Sequence, residues 1–321
     1  MKYDLTSYNG RISYLSSLNN ADKYLEIGVW GGDTFFPIKI PIKVAVDPCF
    51  VFNPEERKKN GTYFFQIESD EFFKKLDSGK LNLQNDGLNE KIKFDVIFID
   101  GYHTFEQSYR DFKNSLKYSH ERTLWLIDDT VPPDIYSSLP NPIISRYKRK
   151  LAGLEGGDWM GDVYKTIFAI HDTFPEISYC TLMGGNPQTV LWKTPSNKRK
   201  PYFASHSVIE NLTYYDMIQH AKILMPIDEE HMVNYVYKIV NPELEAAIDS
   251  WKKVITKPHF RNISPNVSLV DLFIIFLQEC LFFRAYIKFR DEGFEGGMHS
   301  VKRKLRGKNV FKRLFIQRNG S

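Results

Sequence analysis

The 321-residue chain has few cysteines and no long uninterrupted apolar run. Its three cysteines, Cys49, Cys180 and Cys280, are widely spaced and form no C-x-x-C pair, which indicates a reducing compartment and argues against a zinc site. The first residues lack the apolar core of a signal peptide, so we expect a cytoplasmic protein. The most apolar segment, residues 267–283, is interrupted by acidic and amide side chains, which favours a buried helix over a membrane span.

Acidic residues are absent from residues 301–321, a tail that carries eight Lys and Arg side chains. The formal net charge is +4, so the rest of the chain carries about four negative charges. A weakly acidic body argues against a nucleic-acid partner, because nucleic-acid affinity depends on clustered cations. Apolar residues alternate with the basic ones in this tail. It is either an amphipathic helix in peripheral contact with the inner membrane surface or a solvated helix packed on its own domain.

An acid and a glycine turn follow each other in residues 24–35, YLEIGVWGGDTF. A short apolar run ends in Glu26, the turn contains Gly28 and Gly32, and a second apolar run ends in Asp47. This order predicts the nucleoside-binding half of a doubly wound α/β sheet, where ligands bind beyond the carboxyl ends of the strands. Glycines let the backbone approach a ligand, and Asp47 can accept hydrogen bonds from both ribose hydroxyls. We therefore expect a cofactor of the adenosine type.

The glycine spacing separates this turn from the G-x-G-x-x-G fingerprint of dinucleotide enzymes, because the second glycine is missing. Glu26 would also repel a pyrophosphate and favour a cationic ligand. With these features the chain from about residue 24 to about residue 192 resembles the class I S-adenosylmethionine-dependent methyltransferases. The resemblance implies a mostly parallel, seven-stranded, Rossmann-like sheet and S-adenosylmethionine as the cofactor. It also implies that Glu26, Gly28, Gly32 and Asp47 bind that cofactor.

Two polar residues, Ser69 and Asp70, follow the strand-like run TYFFQI. The resemblance implies that Asp70 lies near the adenine of the cofactor. The alternative is that Ser69 and the acids after it cap the start of a helix. The residues by themselves leave both possibilities open.

A continuous apolar run in residues 94–111, FDVIFIDGYHTFEQSYRD, predicts a central buried strand that stops at Asp100. This segment resembles the fourth motif of a methyltransferase group that includes sugar and macrolide O-methyltransferases. The resemblance implies that Asp100 faces the transferred methyl and the cofactor, and that a helix begins near Thr104. His103 lies in the intervening turn, at the lip of the predicted cleft. It has either a direct catalytic role or a structural one.

A fifth strand, RTLWLIDDT, ends in Asp128 and Asp129. Together with Asp100, these acids lie at the ends of two neighbouring strands, where they repel one another unless they are protonated, paired with cations or bound to a metal. Oxygen ligands favour Mg²⁺ over zinc. The resemblance to metal-dependent O-methyltransferases likewise implies Asp100, Asp128 and Asp129 as metal ligands. The alternative for the last two is a turn capped by aspartate.

A long connection rich in proline, residues 131–159, leads into the segment DWMGDVYK. That segment resembles one found in relatives of the same methyltransferase group, and we expect a lid over the acceptor. Trp159, Asp162 and Tyr102, which stands where macrolide enzymes often have an acid, would then lie near the substrate. Alternatively, Asp162 caps a helix that begins at Val163, and Trp159 is a packing residue.

The organisation of the chain follows from its hydrophobic patterns. We expect a first domain at 1–200 that binds S-adenosylmethionine and a helical accessory region at 201–321 with a basic C-terminal tail. The accessory region would recognise the acceptor or form a homo-oligomer. The expected elements are a helix at 11–20, parallel strands at 23–28, 42–47, 62–67, 94–99 and 122–128, and a closing hairpin at 177–182 and 189–193.

The predicted function is O-methylation of a sugar hydroxyl in a surface glycan, a nucleotide sugar or a glycosylated metabolite. Mg²⁺ would lower the pKa of the hydroxyl, and Asp100 or His103 would take its proton. One alternative is a methyltransferase that needs no metal and uses His103 as its base. Another is a non-catalytic scaffold that retains the fold and docks on a partner.

Overall fold

A computed structural model describes part of the chain, namely residues 3–81, 91–154, 159–194, 198–203 and 205–228. The chain divides into two compact units, residues 1–245 and 246–321, and every element described below belongs to the first. The predicted basic tail and the apolar segment at 267–283 lie outside the described residues. Of the helices in the described residues, none has the length and apolar character needed to cross a bilayer.

Eight strands form one sheet in the order β3-β2-β1-β4-β5-β7-β6-β8. The first five strands along the chain pair in parallel, β7 is antiparallel to both of its neighbours, and β8 is parallel to β6. This confirms the predicted doubly wound, mostly parallel Rossmann-like sheet and its closing hairpin. The strands are β1 Lys23–Ile27, β2 Ile42–Val46, β3 Thr62–Phe65, β4 Phe94–Ile99, β5 Ser119–Ile127, β6 Ile177–Leu182, β7 Gln188–Lys193 and β8 Pro226–Ile227.

Helices cover both faces of the sheet. Alternate residues of the buried central strands point to opposite faces, so Phe98 of β4 joins the core beneath α1 while Ile97 joins the core beneath α4 and α6. This explains why the central strands read as continuous apolar runs. The helices are α1 Tyr8–Asn19, α2 Pro54–Arg57, α3 Ser69–Asp77, α4 Phe105–Leu116, α5 Pro142–Leu151, α6 Tyr164–Thr173, α7 His206–Glu210 and α8 Tyr214–Gln219, with a 3₁₀ turn at Ala221–Leu224.

The sheet has one strand more than the seven that the sequence predicts. Strand β8 contains two residues, which is too short for any hydrophobic period to reveal. It forms because Met225, with a φ of 50°, turns the chain back toward β6, where the Thr181 amide donates to the Met225 carbonyl at 3.0 Å. The predicted helical region after residue 200 therefore starts with helices α7 and α8 and then contributes an edge strand.

The connection after β5 contains a helix, α5, within the segment that the sequence predicts as a lid. Asn141 caps this helix, since its side-chain oxygen accepts from the amides of Ile143 and Ile144 at 2.9 and 3.0 Å. Farther along, the Met160 and Gly161 amides both donate to the Ser137 carbonyl, at 3.1 and 2.9 Å. The connection is thus folded back on itself.

The glycine turn fixes the distance between β1 and β4. Gly28 has a φ of 87°, and its amide donates to the Val46 carbonyl at 2.9 Å. A Cβ at Gly28 would lie 1.8 Å from the carbonyl oxygen of Asp100, so only glycine fits where the two strand ends meet. The position of Asp100 therefore depends on the missing side chain at Gly28.

We expect Gly28→Ala to lower the free energy of unfolding by about 3 kcal/mol, because it adds a backbone clash to the strain of a positive φ. Gly153→Ala is the matched control. Gly153 also has a positive φ, of 69°, but its Cβ would meet no described atom within 4 Å. The control should cost about 1 kcal/mol. Equilibrium unfolding in guanidinium chloride measures both values, and equal losses would show that the contact with Asp100 is unimportant.

Helix α4 carries a buried carboxyl, Asp111, on the side that meets α3. Its Oδ1 accepts from the Ser69 hydroxyl at 2.6 Å and from Gln107 Nε2 at 3.0 Å, while Oδ2 has no hydrogen-bond partner among the described residues. Burial raises the pKa of Asp111 to about 7, against the effect of these two donors. The folded protein therefore holds a proton that the unfolded chain releases near pH 4.

A raised pKa in the folded state means that stability falls as pH increases from about 4 to about 7. We expect Asp111→Asn to remove this loss, worth roughly 2 to 4 kcal/mol, because the amide needs no proton to be neutral. Urea unfolding at pH 5 and pH 8 measures the difference. Asp33→Asn, at an exposed position, should keep the wild-type pH dependence. An unchanged pH dependence in Asp111→Asn would contradict the assignment.

Candidate active site

The three predicted strand-end acids meet at one edge of the sheet. Asp100 follows β4 and Asp128 and Asp129 follow β5, which pairs with β4 in parallel, and the Asp128 amide donates to the Ile99 carbonyl at 3.0 Å. A cleft at this point contains about 180 Å³ of empty space, including the open solvent at its mouth. The residues that line it are Ile99, Asp100, Gly101, Tyr102, His103, Ser108, Asp128, Asp129 and Val163.

His103 lies between two of these acids. Its Nδ1 is 2.8 Å from Asp129 Oδ2, and its Nε2 is 3.4 Å from Asp100 Oδ1. Nδ1 also lies 2.8 Å from the Trp159 carbonyl oxygen. The indole of Trp159 stacks on the imidazole, with ring centres 5.1 Å apart and planes 19° apart. The histidine of the predicted turn is therefore fixed by contacts on several sides.

Protons are held tightly in this cluster. Burial lowers the pKa of His103, but the hydrogen bonds to Asp100 and Asp129 outweigh it and raise the pKa to about 11. Burial raises the pKa of Asp100 to about 6, although the His103 hydrogen bond opposes this shift. Burial and the charges of Asp100 and Asp129 raise the pKa of Asp128 well above its usual range. At neutral pH the site thus contains a cation, His103, between carboxylates.

A divalent cation fits this arrangement. One ligand atom each from Asp100, His103 and Asp129 lie within 4.8 Å of one another, and two carboxylates with an imidazole form a donor set suited to such ions. The set differs from the predicted one, because His103 stands where the sequence predicts Asp128. Asp128 Oδ1 instead accepts from Gln188 Nε2 at 3.0 Å. The positive φ of Asp129, 58°, gives the two consecutive aspartates different surroundings.

A layer of polar residues behind the acids was not found by sequence reasoning. Asn186 Nδ2 donates to Asp129 Oδ1 at 3.2 Å and also contacts the Tyr8 hydroxyl. Arg11, which is buried, donates to the Asn186 carbonyl at 2.6 Å and to Gln188 Oε1 at 3.0 Å. Its one sequence signal is a charge on the apolar face of α1. That signal does not reveal that the hairpin between β6 and β7 lies against it.

The predicted cofactor residues lie at the ends of β1 and β2. Glu26 is buried, accepts from the Tyr24 hydroxyl at 2.5 Å, and has a pKa that burial raises well above its usual range. Asp47 Oδ2 accepts from the amides of Val29 and Trp30 at 2.8 and 2.7 Å, and Oδ1 accepts from the Cys49 amide at 2.7 Å. Asp47 therefore holds the glycine turn. Binding both ribose hydroxyls would require part of that turn to move, since three of its roughly four acceptor directions are in use.

Asp70 lies in the first turn of α3, outside the acid cluster. Its Oδ2 lies 3.0 Å from Arg110 Nε, and Asn114 Nδ2 donates to its Oδ1 at 3.3 Å. The helix is preceded by Glu68, which makes no side-chain cap, and the Ser69 hydroxyl is used by Asp111. The capping alternative for Ser69 and Asp70 is therefore wrong. The contact of Asp70 with adenine stays a prediction.

The aromatic residues predicted at the substrate flank His103. Tyr102 is 60% exposed, and its ring meets the Trp159 ring edge-on, with centres 5.8 Å apart. Trp159 Nε1 donates to the Leu139 carbonyl at 2.6 Å. The two rings thus form a surface at the mouth of the cleft.

Asp162 caps a helix, but not the one that follows it. Its Oδ1 accepts from the amide of Phe105, the first residue of α4, at 2.8 Å, and its Oδ2 lies 3.0 Å from Lys165 Nζ. The prediction that it caps the helix after Val163 is wrong, because Gly161, with a φ of 61°, packs against the His103 backbone and brings Asp162 to the start of α4. Asp162 therefore positions the helix that begins beside His103.

Comparison with known proteins gives a consistent result for the α/β domain. Residues 25–130 match a family described as a methyltransferase domain. No curated protein sequence matches the chain. Among solved structures, an O-methyltransferase from Bacillus cereus in complex with SAH is 16% identical, with a TM-score of 0.40, over 60% of this chain and 84% of that one. An SAH-bound methyltransferase from Podospora anserina is 14% identical, with a TM-score of 0.40, over 58% and 77%.

The family match begins in β1 and ends just after the paired aspartates, so it contains the glycine turn and all three strand-end acids. The sheet order and the hairpin add the Rossmann-like fold that such domains have. An acid followed by this glycine turn suits a cationic adenosine cofactor rather than a pyrophosphate. On these grounds the α/β domain that contains residues 25–130 is an S-adenosylmethionine-dependent methyltransferase domain.

Proposed function

We propose that this enzyme methylates a hydroxyl oxygen of a sugar, with the help of a divalent metal ion such as Mg²⁺ bound by Asp100, His103 and Asp129. The observation that carries the proposal is the convergence of two carboxylates and an imidazole at the carboxyl ends of β4 and β5. The aromatic surface formed by exposed Tyr102 and half-buried Trp159 beside this cluster supports a sugar acceptor, because sugar rings stack on aromatic side chains. The sugar would belong to a surface glycan, a nucleotide sugar or a glycosylated metabolite.

Methyl transfer from a sulfonium requires the acceptor hydroxyl to lose its proton as it attacks in line. A divalent cation, when bound, lowers the pKa of the hydroxyl. Asp100 is the candidate base, as the sequence predicts, because its carboxyl lies in the cleft at the end of β4. The chain also contributes orientation: Asp162 fixes the start of α4, and stacked Trp159 fixes the ring of His103. Alignment of this kind can replace roughly 7 to 11 kcal/mol of barrier.

The charge of His103 favours the metal-assisted reaction over the alternative with His103 as base. A pKa of about 11 keeps the imidazole protonated at neutral pH in the metal-free site, so it cannot accept a proton from a hydroxyl there. A divalent cation held by Asp100, His103 and Asp129 would displace this proton and offset the same two carboxylates, so that His103 would bind the metal as a neutral imidazole.

We expect Asp129→Asn to weaken binding of Mn²⁺, used as a probe for Mg²⁺, by at least about 100-fold, because it removes one charged ligand of three. The affinity for S-adenosylmethionine should change less than about 3-fold, because the cofactor residues lie on other strands. Electron paramagnetic resonance measures Mn²⁺ binding, and isothermal titration calorimetry measures cofactor binding. Neither measurement requires a known acceptor.

Asp128→Asn is the matched control for this experiment. The amide keeps a hydrogen-bond acceptor for Gln188, and Asp128 supplies no atom to the group of three, although it hydrogen-bonds Asp100, so Mn²⁺ affinity should fall much less than in Asp129→Asn. If both variants weakened Mn²⁺ binding equally, the result would favour the metal ligands predicted from the sequence, namely Asp100, Asp128 and Asp129. A wild-type protein that binds the cofactor but does not bind Mn²⁺ would indicate a metal-free methyltransferase. A wild-type protein that does not bind the cofactor would indicate a scaffold.

The sugar acceptor is tested at Trp159. We expect Trp159→Ala to raise the KM for the acceptor about tenfold, since an aromatic stacking contact contributes roughly 0.5 to 1.5 kcal/mol. Trp159→Phe keeps an aromatic ring and should show a smaller change. Turnover of radiolabelled S-adenosylmethionine with a panel of sugars and nucleotide sugars gives KM and kcat. A loss confined to kcat would instead assign Trp159 to positioning His103, and an inactive panel would argue against a sugar.

A further inference from the structure

Helix α5 turns its apolar side toward solvent. Its large apolar side chains, together with Leu154 just beyond its end, are between 41% and 76% exposed. Those within the helix recur at helical spacing and therefore lie along one side of it, whereas Leu154 follows Gly153, whose φ of 69° lies beyond the end of the helix. We name this set the apolar stripe; its members are Ile143, Ile144, Tyr147, Leu151 and Leu154.

The opposite side of α5 is polar and buried. Ser145 is fully buried, and the guanidinium of Arg149 forms an ion pair with Asp134 and contacts the Ser137 hydroxyl. Rotation of the helix to bury the apolar stripe would break the ion pair between Asp134 and Arg149, and breaking a largely buried ion pair is costly. The exposure of the apolar stripe is therefore a fixed property of this helix.

Basic residues border the apolar stripe on both sides. Helical geometry places Arg146 and Lys150 along one edge and Lys148 along the other, and all three are exposed. We name these three residues the basic border. No acidic residue occurs within Pro142–Leu151. An apolar centre between cationic edges is the pattern of helices that lie in the headgroup region of an anionic bilayer.

We propose that α5 docks this enzyme on an anionic membrane surface, with the apolar stripe in the headgroup region and the basic border on lipid phosphates. This inference goes beyond the proposed function and does not rest on it. The charge of the basic border favours an anionic membrane over a second copy of this chain as the partner of this face. A second copy facing it would bring six cationic side chains together, whereas anionic lipid neutralises them. The short helix would rest on the bilayer surface, since its ten residues are too few to cross it.

The docking surface is connected to the cleft through direct contacts. Arg149 of α5 contacts Ser137, whose carbonyl accepts from the amides of Met160 and Gly161. Gly161 packs against the backbone of His103, at the rim of the cleft. A membrane bound at α5 would thus contact the same folded connection that forms one side of the active site.

Co-sedimentation of the full chain with vesicles tests the proposal. The probes are vesicles of phosphatidylcholine with 30% phosphatidylglycerol and vesicles of phosphatidylcholine alone. We expect binding to the anionic vesicles at low salt and much weaker binding to the neutral ones. A variant with Ile143→Ser, Tyr147→Ser and Leu151→Ser should bind the anionic vesicles at least about tenfold more weakly, because apolar area no longer enters the headgroup region.

A second variant tests the charges. Arg146→Gln, Lys148→Gln and Lys150→Gln together should weaken binding to anionic vesicles about 100-fold at low salt, because each basic residue near such a surface contributes about fivefold. The difference from the wild type should shrink as salt rises. The matched control changes three exposed lysines outside α5, Lys59→Gln, Lys74→Gln and Lys80→Gln, and should retain most of the binding.

Three results would overturn the proposal. The first is a wild-type protein that binds neither vesicle. The second is wild-type binding in both α5 variants, which would move the contact to another part of the chain, such as residues 301–321. The third is a change from dimer to monomer in the α5 variants by sedimentation velocity without any vesicle binding, which would make the face an interface between copies. All substituted side chains are exposed, so an unchanged thermal unfolding midpoint confirms that the variants fold.

Discussion

Repulsion among three acids at one edge of the sheet is the constraint on which the rest of the structure depends. Parallel pairing of β4 and β5 brings Asp100, Asp128 and Asp129 together, and burial of the last two makes a negative charge on them costly. Two features reduce this repulsion: protonated His103 lies between two of the acids, and the raised pKa of Asp128 favours its neutral form. The same concentration of negative charge makes this edge suited to the divalent cation that we propose.

Segments that are distant in the chain hold this charged edge in place through hydrogen bonds. Arg11 of α1 reaches the hairpin between β6 and β7, and Asn186 and Gln188 of that hairpin then hold the paired aspartates. On the other side, Asp162 caps α4 at the start of the turn that carries His103. Because these contacts are hydrogen bonds with set directions, they fix orientation as well as position, which methyl transfer in line requires.

In the connection after β5, helix α5 buries its polar side and exposes its apolar side, the reverse of the usual arrangement. The polar residues Arg149 and Asp134 point inward and brace Ser137, which in turn holds the backbone beside His103. The apolar residues of α5 consequently point outward, where they gain no stabilisation from burial within the domain. The geometry near the active site and the exposed apolar surface of α5 thus have one cause, the inward direction of Arg149.

The sequence by itself determined the sheet, its closing hairpin, and the meeting of Asp100 with the paired aspartates, because strand period and strand ends are local properties of the chain. Tertiary structure decided what no local pattern contains. It brought His103 within reach of Asp100 and Asp129, placed Asp162 at the start of a different helix and added the strand β8. These outcomes depend on positive φ values at Asp129, Gly161 and Met225, and on partners far away in the chain. Side-chain direction is a product of packing, and packing is known only once the distant segments have met.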